Sequence, residues 1–566
     1  MAGRYLLEIT AVHLVLTALP GVAAALIAAR CGIRNVPVLL ATGLAASGML
    51  ALLTFWAFFA DPLVGETTSF LLLFGSVGIV AWLLWERQIE GALLRQLVTP
   101  LLLWGLGTYF LVFFGFLHGG TDLPLNTAAT RFSGGFPSDN AIPSFFAEWF
   151  FSHGHQKPVP VFGADWLSSD RPPLQVGYVL EQRRLPGWDI QGLHYQVLAI
   201  GLQQLWIIGL WALLLAAKVG RTTRALAMAT VLVSDVALVN GFFVWPKMLP
   251  AAMLLAAAAL VATPLWDELR RSYWAAALLA ALLGVAMMGH GSSLFGVVPL
   301  ALIAAWRGLP SWRWLGVAAL VGIAVMAPWS AYQKYHDPPG DRLVKWMIAG
   351  VPEVDPRGAR EAIFDAYGEA GIGGTIHNKG QNFVTMFGGG PMVGRLDHGV
   401  ESLDKGELDE AIEDVRIVLF FDLVPSLGLL LLGPVAMALA WRRGRRSPAD
   451  WTLALTCFLI FGVGAIAWGL ILFGNLPART VMHAGSYAIP VLGLVGAVAG
   501  LRAVWPRFAI YFVLASAALM LAIYTPTLRP LEGTSFSPLA AIVSVLGLAG
   551  FGWVLLRGAA ADDAPA

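Results

Sequence analysis

Two short polar stretches interrupt an otherwise oily chain, and both carry side chains able to do chemistry. The first, FPSDNAIP, holds Asp139 and Asn140; the second, SDRPPL, holds Asp170 and Arg171. A carboxylate at a membrane surface, partly stripped of water, can act as a general base. Asp and Asn are also preferred helix caps, and Pro143 suits a first helical turn, so Asp139 has a purely structural reading as well. The two prolines after Arg171 forbid helix there and keep the backbone extended. A guanidinium aimed by so stiff a backbone suits a phosphate group, although a lipid headgroup anchor or an Arg–Asp surface pair would use the same residues.

Between these stretches lies AIPSFFAEWFFS. Ile142, Phe145, Phe146, Trp149 and Phe150 recur with helical spacing, opposite Ser144, Glu148 and Ser152. The pattern predicts an amphipathic helix lying in the membrane interface, or packed on a small outer domain. His153-Gly-His155 follows, too small a set to specify a metal.

Other polar residues sit at helix ends. Trp245 and Lys247 in GFFVWPKMLP read either as an interfacial belt with a snorkelling lysine or as a phosphate contact. His290, in MMGHGSSLF, is set among small residues that would let a substrate approach. Lys334, Arg342 and Lys345 lie amid Tyr332, Tyr335 and Trp346 around the turn signal DPPGD; a juxtamembrane anchor and a cationic, aromatic cradle both fit. Glu8, Asp235 and Asp422 fall inside apolar runs, where ionisable groups are costly. Asp235 and Asn240 can also serve as bonds between helices.

The elements that must position these residues are membrane helices. Of 566 residues 58% are hydrophobic and 13% charged, about half the charge of a soluble protein. Runs such as LPAAMLLAAAALVATPLW approach the ~20 apolar residues that cross a bilayer. Hydropathy places fifteen spans: 5–29, 36–60, 67–85, 97–117, 194–217, 225–244, 248–265, 273–289, 292–306, 314–331, 415–440, 451–474, 484–501, 508–525 and 536–556. The first reads as a retained helix and not a cleaved signal, since Arg30 and Arg34 follow a long apolar run.

Loops after odd-numbered spans hold nearly all the short-loop Arg and Lys, among them Arg87, Arg95, Lys218, Arg270, Arg271, Arg307, Arg313, Arg442, Arg443, Arg445, Arg446, Arg502 and Arg507. Short loops after even-numbered spans hold only Lys247, Arg479 and Arg529. The asymmetry predicts an N-terminus outside, a C-terminus in the cytoplasm, and two long outer segments, 118–193 and 332–414. Net charge is +1 and no basic tract suggests nucleic acid. Cys31 and Cys457 fit no disulfide or metal spacing.

The order of features resembles the integral-membrane glycosyltransferases of the GT-C fold. An outward span leads to an acidic motif, an aromatic helix, a basic-Pro-Pro-Leu motif and a further span. The likeness is strongest to the aminoarabinose transferases and protein O-mannosyltransferases, which use polyprenyl-phosphate sugars. It covers roughly 97–350, through Asp139-Asn140 and Arg171-Pro172-Pro173-Leu174. Asn140 stands where Glu is commoner, and three helices precede the core.

The resemblance implies an all-α polytopic protein of about 15 transmembrane helices in the cell membrane. It would have an extension at 1–96, a GT-C-like catalytic core at 97–350, an outer region at 351–414 and C-terminal helices at 415–566. It implies Asp139 as catalytic base. Asn140, Asp170, Arg171, Trp245, Lys247, His290, Lys334, Arg342 and Lys345 would bind substrate. The partners would be a polyprenyl-phosphate sugar, a lipid or glycan acceptor and membrane lipids. No cofactor is implied, and a divalent metal stays open. The alternatives are a transporter or flippase of an amphipathic anion, a glycan polymerase or ligase of another fold, and a subunit that has lost activity.

Overall fold

A computed structural model describes residues 2–133, 135–161, 166–183, 190–440, 447–474, 487–528 and 530–562. The arginine cluster 442–446, Arg479, Arg529 and the start of the span expected at 484–501 lie outside the described residues. Among the described residues the chain is helical, with one isolated antiparallel bridge between Val161 and Trp166.

Three long helices open the chain: α1 (Ala2–Arg30), α2 (Val36–Ala60) and α3 (Pro62–Trp85), and α4 (Gly91–Gly115) follows. The first long polar segment folds into α5 (Pro124–Thr130), a 3-10 turn at Ser138–Ala141, α6 (Ile142–His153) and α7 (Leu174–Arg183). Next come α8 (Gly192–Gln203), α9 (Trp206–Ala216), α10 (Arg221–Leu232), α11 (Asp235–Phe243), α12 (Met248–Val261), α13 (Trp266–Leu269), α14 (Tyr273–Gly289), α15 (Leu294–Arg307) and α16 (Trp312–Ala331). The second long segment forms α17 (Arg342–Ala349), α18 (Ala359–Phe387) and α19 (Gly390–Asp404) and leads into α20 (Leu408–Phe421). The chain closes with α21 (Leu432–Ala440), α22 (Pro448–Ile471), α23 (Ala488–Val504), α24 (Pro506–Tyr524) and α25 (Pro538–Asp562).

This is a membrane protein. Nine of the described helices are long and apolar enough to cross a bilayer, or eleven if two bent pairs each count once. That is fewer than the fifteen spans read from hydropathy. Four of the expected spans correspond to helices of 10–17 residues: Met248–Val261, Tyr273–Gly289, Gly291–Arg307 and Ala488–Val504. The α14 helix fills its expected span at 273–289, whereas the run expected at 248–265 spends its last residues in a turn. The α12 helix stops ahead of Pro264, which disfavours helix in the residue before it, and His290 breaks the run between α14 and α15.

Local chemistry sets the helix ends. Asp61 ends α2 and caps α3, its carboxylate accepting from the N–H groups of Leu63 (2.8 Å) and Val64 (3.3 Å), with Pro62 at the first position. The rod formed by α8 and α9 is buried along its whole apolar window, whereas α3, α16 and α24 leave most of theirs outward. Small residues let backbones close in. A Cβ at Gly209 in α9 would collide with the carbonyl of Ala252 in α12, and one at Gly177 in α7 with that of Ala51 in α2.

Two buried arginines, Arg131 and Arg416, have no carboxylate within salt-bridge reach among the described residues. Both bond the C-terminal end of α24 instead. Arg131 donates to the carbonyls of Pro526 (2.7 Å) and Thr525 (3.0 Å), and Arg416 to those of Ile523 (2.6 Å) and Pro526 (2.8 Å). Arg131 also reaches Phe114 near the end of α4, at 3.4 Å. Carbonyls left over at helix ends, and the negative pole of the helix dipole, favour a cation there. Arg416→Met should lower stability by about 1–3 kcal/mol, the usual cost of orphaning buried polar groups. Thermal melting of the detergent-solubilised protein checks this, with the exposed Arg271→Met unchanged.

Candidate functional site

The 3-10 turn that carries Asp139 runs directly into α6, whose own cap position, Ala141, makes no side-chain cap. Asp139 is therefore not a helix cap. It receives the Arg171 guanidinium at 2.7 Å, and both side chains are at least nine-tenths buried. The backbone at Arg171 is extended, as its two prolines require, and α7 begins at Leu174.

Lys247 and His290 converge on the same pair. Burial pushes the Lys247 ammonium well below its ordinary pKa, with Arg171 beside it acting in the same direction and Asp139 opposing. Burial likewise holds His290 well below the usual histidine range, and Lys247 and Arg171 add to the effect. The His290 Nδ1 accepts from the Ser292 N–H at 3.2 Å, which leaves Nε2 to carry the proton of the neutral ring. Lys247 lies 3.7 Å over the Trp245 ring and 5.2 Å from the Tyr487 ring. Lys247 thus lies close enough to feel both members of the pair, and His290 close enough to feel Lys247 and Arg171.

Asp170 and Arg342 form a second layer. Arg342 stands 3.6 Å from Asp170 and donates to the Pro352 carbonyl at 2.7 Å. Burial raises the Asp170 carboxyl, against the Leu167 N–H and the two arginines. The Trp166 ring lies between the guanidiniums, 4.2 Å from Arg171 and 4.8 Å from Arg342. Asp337, from the turn signal DPPGD, straps the second long segment onto the first. It accepts from the Ser168 hydroxyl at 2.6 Å and from Lys157 at 3.2 Å.

Three expected residues are used otherwise. The Asn140 amide donates to the Leu125 carbonyl at 2.9 Å, so its side chain fastens α5. Lys345 is buried and holds the carbonyls of Asp355 (2.5 Å) and Arg357 (2.9 Å) together with Asp341 (2.6 Å), tying up its own loop. Lys334 is exposed beside Tyr335 and stands apart from the cluster. The apolar face of α6 (Ile142, Phe146, Phe150) is buried against the protein, and Phe145 is left outward.

Sequence reasoning missed the frame that aligns the cluster. Tyr195 donates to the Asn140 carbonyl at 2.7 Å, and the Gln175 amide donates to Tyr195 at 2.9 Å and to the Val244 carbonyl at 3.2 Å. Gln203 donates to Gln175 at 2.9 Å and accepts the N–H groups of Met248 and Leu249, both at 3.0 Å. One chain of bonds joins the Asp139 turn, the Arg171 strand and the helix start beside Lys247. Val244 holds a left-handed φ of 56° in that turn, an outlier for a β-branched residue that persists only where surroundings enforce it. The signal available beforehand was the placing of Gln175 and Gln203 in apolar runs.

An apolar cleft lined by Phe295, Phe420, Gly464, Trp468 and Ile489 meets the cluster at Tyr487. Among the described residues no group of His, Cys, Asp and Glu has the make-up of a metal site. Comparison with protein-family models, with curated proteins and with solved structures finds no match.

Gln203→Leu should orphan two N–H groups of α12 and cost about 1–3 kcal/mol each, seen as a lower melting temperature; Gln88→Leu, outside the network, is the control. His290 supplies a pH test. Its folded pKa lies below the unfolded value, so the stability it contributes is present above about pH 6.5 and is lost as pH falls further. His290→Gln should flatten the acid limb of the melting-temperature profile relative to the wild type.

Proposed function

We propose that this protein is a membrane glycosyltransferase that takes a sugar from a polyprenyl-phosphate donor to a cell-envelope acceptor on the outer face of the membrane. The observation that carries the reading is the buried Arg171–Asp139 pair, with Lys247 near both members and His290 near Lys247 and Arg171. Such a cluster has more capacity for positive charge than it neutralises, and favours an entering anion. The adjoining apolar cleft suits the isoprenoid tail of an amphipathic phosphate. The motif order that resembles the GT-C enzymes adds the sugar.

In this mechanism the donor phosphate displaces Asp139 from Arg171. The freed carboxylate takes the proton of the acceptor hydroxyl, whose oxygen bonds to the anomeric carbon. The bond from that carbon to the phosphate oxygen breaks, and its electron pair stays on the polyprenyl phosphate. Arg171 and Lys247 stabilise the charge as it develops. Inversion at the anomeric carbon follows from a single displacement. A second reading, carriage of an amphipathic anion across the bilayer, is favoured by the two bent helix pairs.

Purified protein in nanodiscs, incubated with labelled polyprenyl-phosphate sugars and an envelope extract, should move label from the donor to another molecule. Asp139→Asn should lower transfer per folded molecule by about 10²–10⁴-fold, with a lower melting temperature, because it leaves the buried Arg171 guanidinium without its counter-charge. Transfer at wild-type rate in that variant would remove Asp139 from the chemistry. Label that crosses proteoliposomes still attached to its lipid would support carriage.

A further inference from the structure

Asp235 is fully buried inside the helical body, and no side chain among the described residues hydrogen-bonds either carboxylate oxygen; only the backbone N–H groups of Val236 and of Asp235 itself approach it. An ionised carboxylate taken out of water this way costs many kcal/mol unless something compensates it. No lysine, arginine or histidine among the described residues lies within ion-pair distance of it. The N-terminus of α11, in whose first turn Asp235 sits, supplies only about half a positive charge.

Its surroundings mix hydroxyls with apolar side chains such as Leu430 and Met520. Asp235 lines a small cavity with Thr230, Ser234, Ser426 and Ser516, large enough for about one water-sized particle. The Thr230 hydroxyl has no partner either. The Ser426 hydroxyl donates to the Leu423 carbonyl at 2.7 Å, which leaves its lone pairs to accept. Both bent helix pairs break at this point. α10 and α11 meet at 50° just before Asp235, and α20 meets the stretch Pro425–Ala440 at 93° just before Ser426. Breaks in membrane helices free carbonyls and bring helix ends together, which is how such proteins build sites for cations.

We propose that Asp235 and the hydroxyls around it bind a monovalent metal cation of sodium size between the two broken helices. Hard oxygen ligands select a hard cation. A single carboxylate matches one positive charge, whereas divalent ions recruit several carboxylates. The apolar cleft at Tyr487 and this cavity share Ser426 in their walls. The inference stands apart from the chemistry at Asp139 and Arg171 and holds whether or not sugar is transferred.

The test is binding of labelled sodium ion to the full chain in nanodiscs, with choline as the inert replacement. Wild type should bind saturably near one ion per chain, and sodium should raise its melting temperature where choline does not. Asp235→Asn should lose both effects. Should that variant fail to fold, Ser426→Ala and Thr230→Val should each weaken sodium binding several-fold. No saturable binding by wild type at any pH, meaning that Asp235 holds only a proton, would overturn the proposal. So would binding unchanged in Asp235→Asn or, where that variant does not fold, in both hydroxyl variants.

Discussion

A guanidinium and a carboxylate removed from water each lose several kcal/mol of hydration, and only close mutual contact returns it. The Arg171–Asp139 bond is such a contact, made where four segments distant in sequence come together. The 3-10 turn before α6, the extended strand before α7, the start of α12 and the end of α14 must all be in place for it. Polar side chains between helices supply the alignment. Tyr195, Gln175 and Gln203 satisfy one another and the backbone, so no member of the frame moves without orphaning another.

The second long segment completes the enclosure. Asp337 and Tyr332 bond Ser168, and Arg342 approaches Asp170 while facing Trp166. Both acid–base pairs are thereby kept from water, and burial pushes the pKa of Lys247 down, with Arg171 beside it adding to the effect.

Much of this was readable from residue types and spacing. Arg171 was marked by its prolines, Asp139 by its place ahead of an aromatic helix, and Lys247 and His290 by standing alone between apolar runs. Asn140, Lys334 and Lys345 were marked for the same reasons, yet serve a helix, the surface and a loop. Polarity in a short segment signals that a group must be satisfied, not what satisfies it. Trp166, Tyr195, Gln175 and Gln203 went unmarked because an aromatic or an amide inside an apolar run looks like ordinary packing. Hydropathy adds up apolar residues whether they lie in a helix or in the turn after it, so the span expected at 248–265 overruns α12, which ends at Val261, whereas the span expected at 273–289 coincides with α14.

The close approach of Gly177 to Ala51 bears on how the chain can be divided. Residues 1–96 look like an appendage in front of the core, but α2 is the wall against which α7 is laid, and α7 starts three residues after Arg171. Helix against helix, with no side chain between, allows no slack in that register. The N-terminal helices thus act as a jig for the arginine, and a shorter protein made by cutting them away would keep the residues of the cluster and lose their alignment.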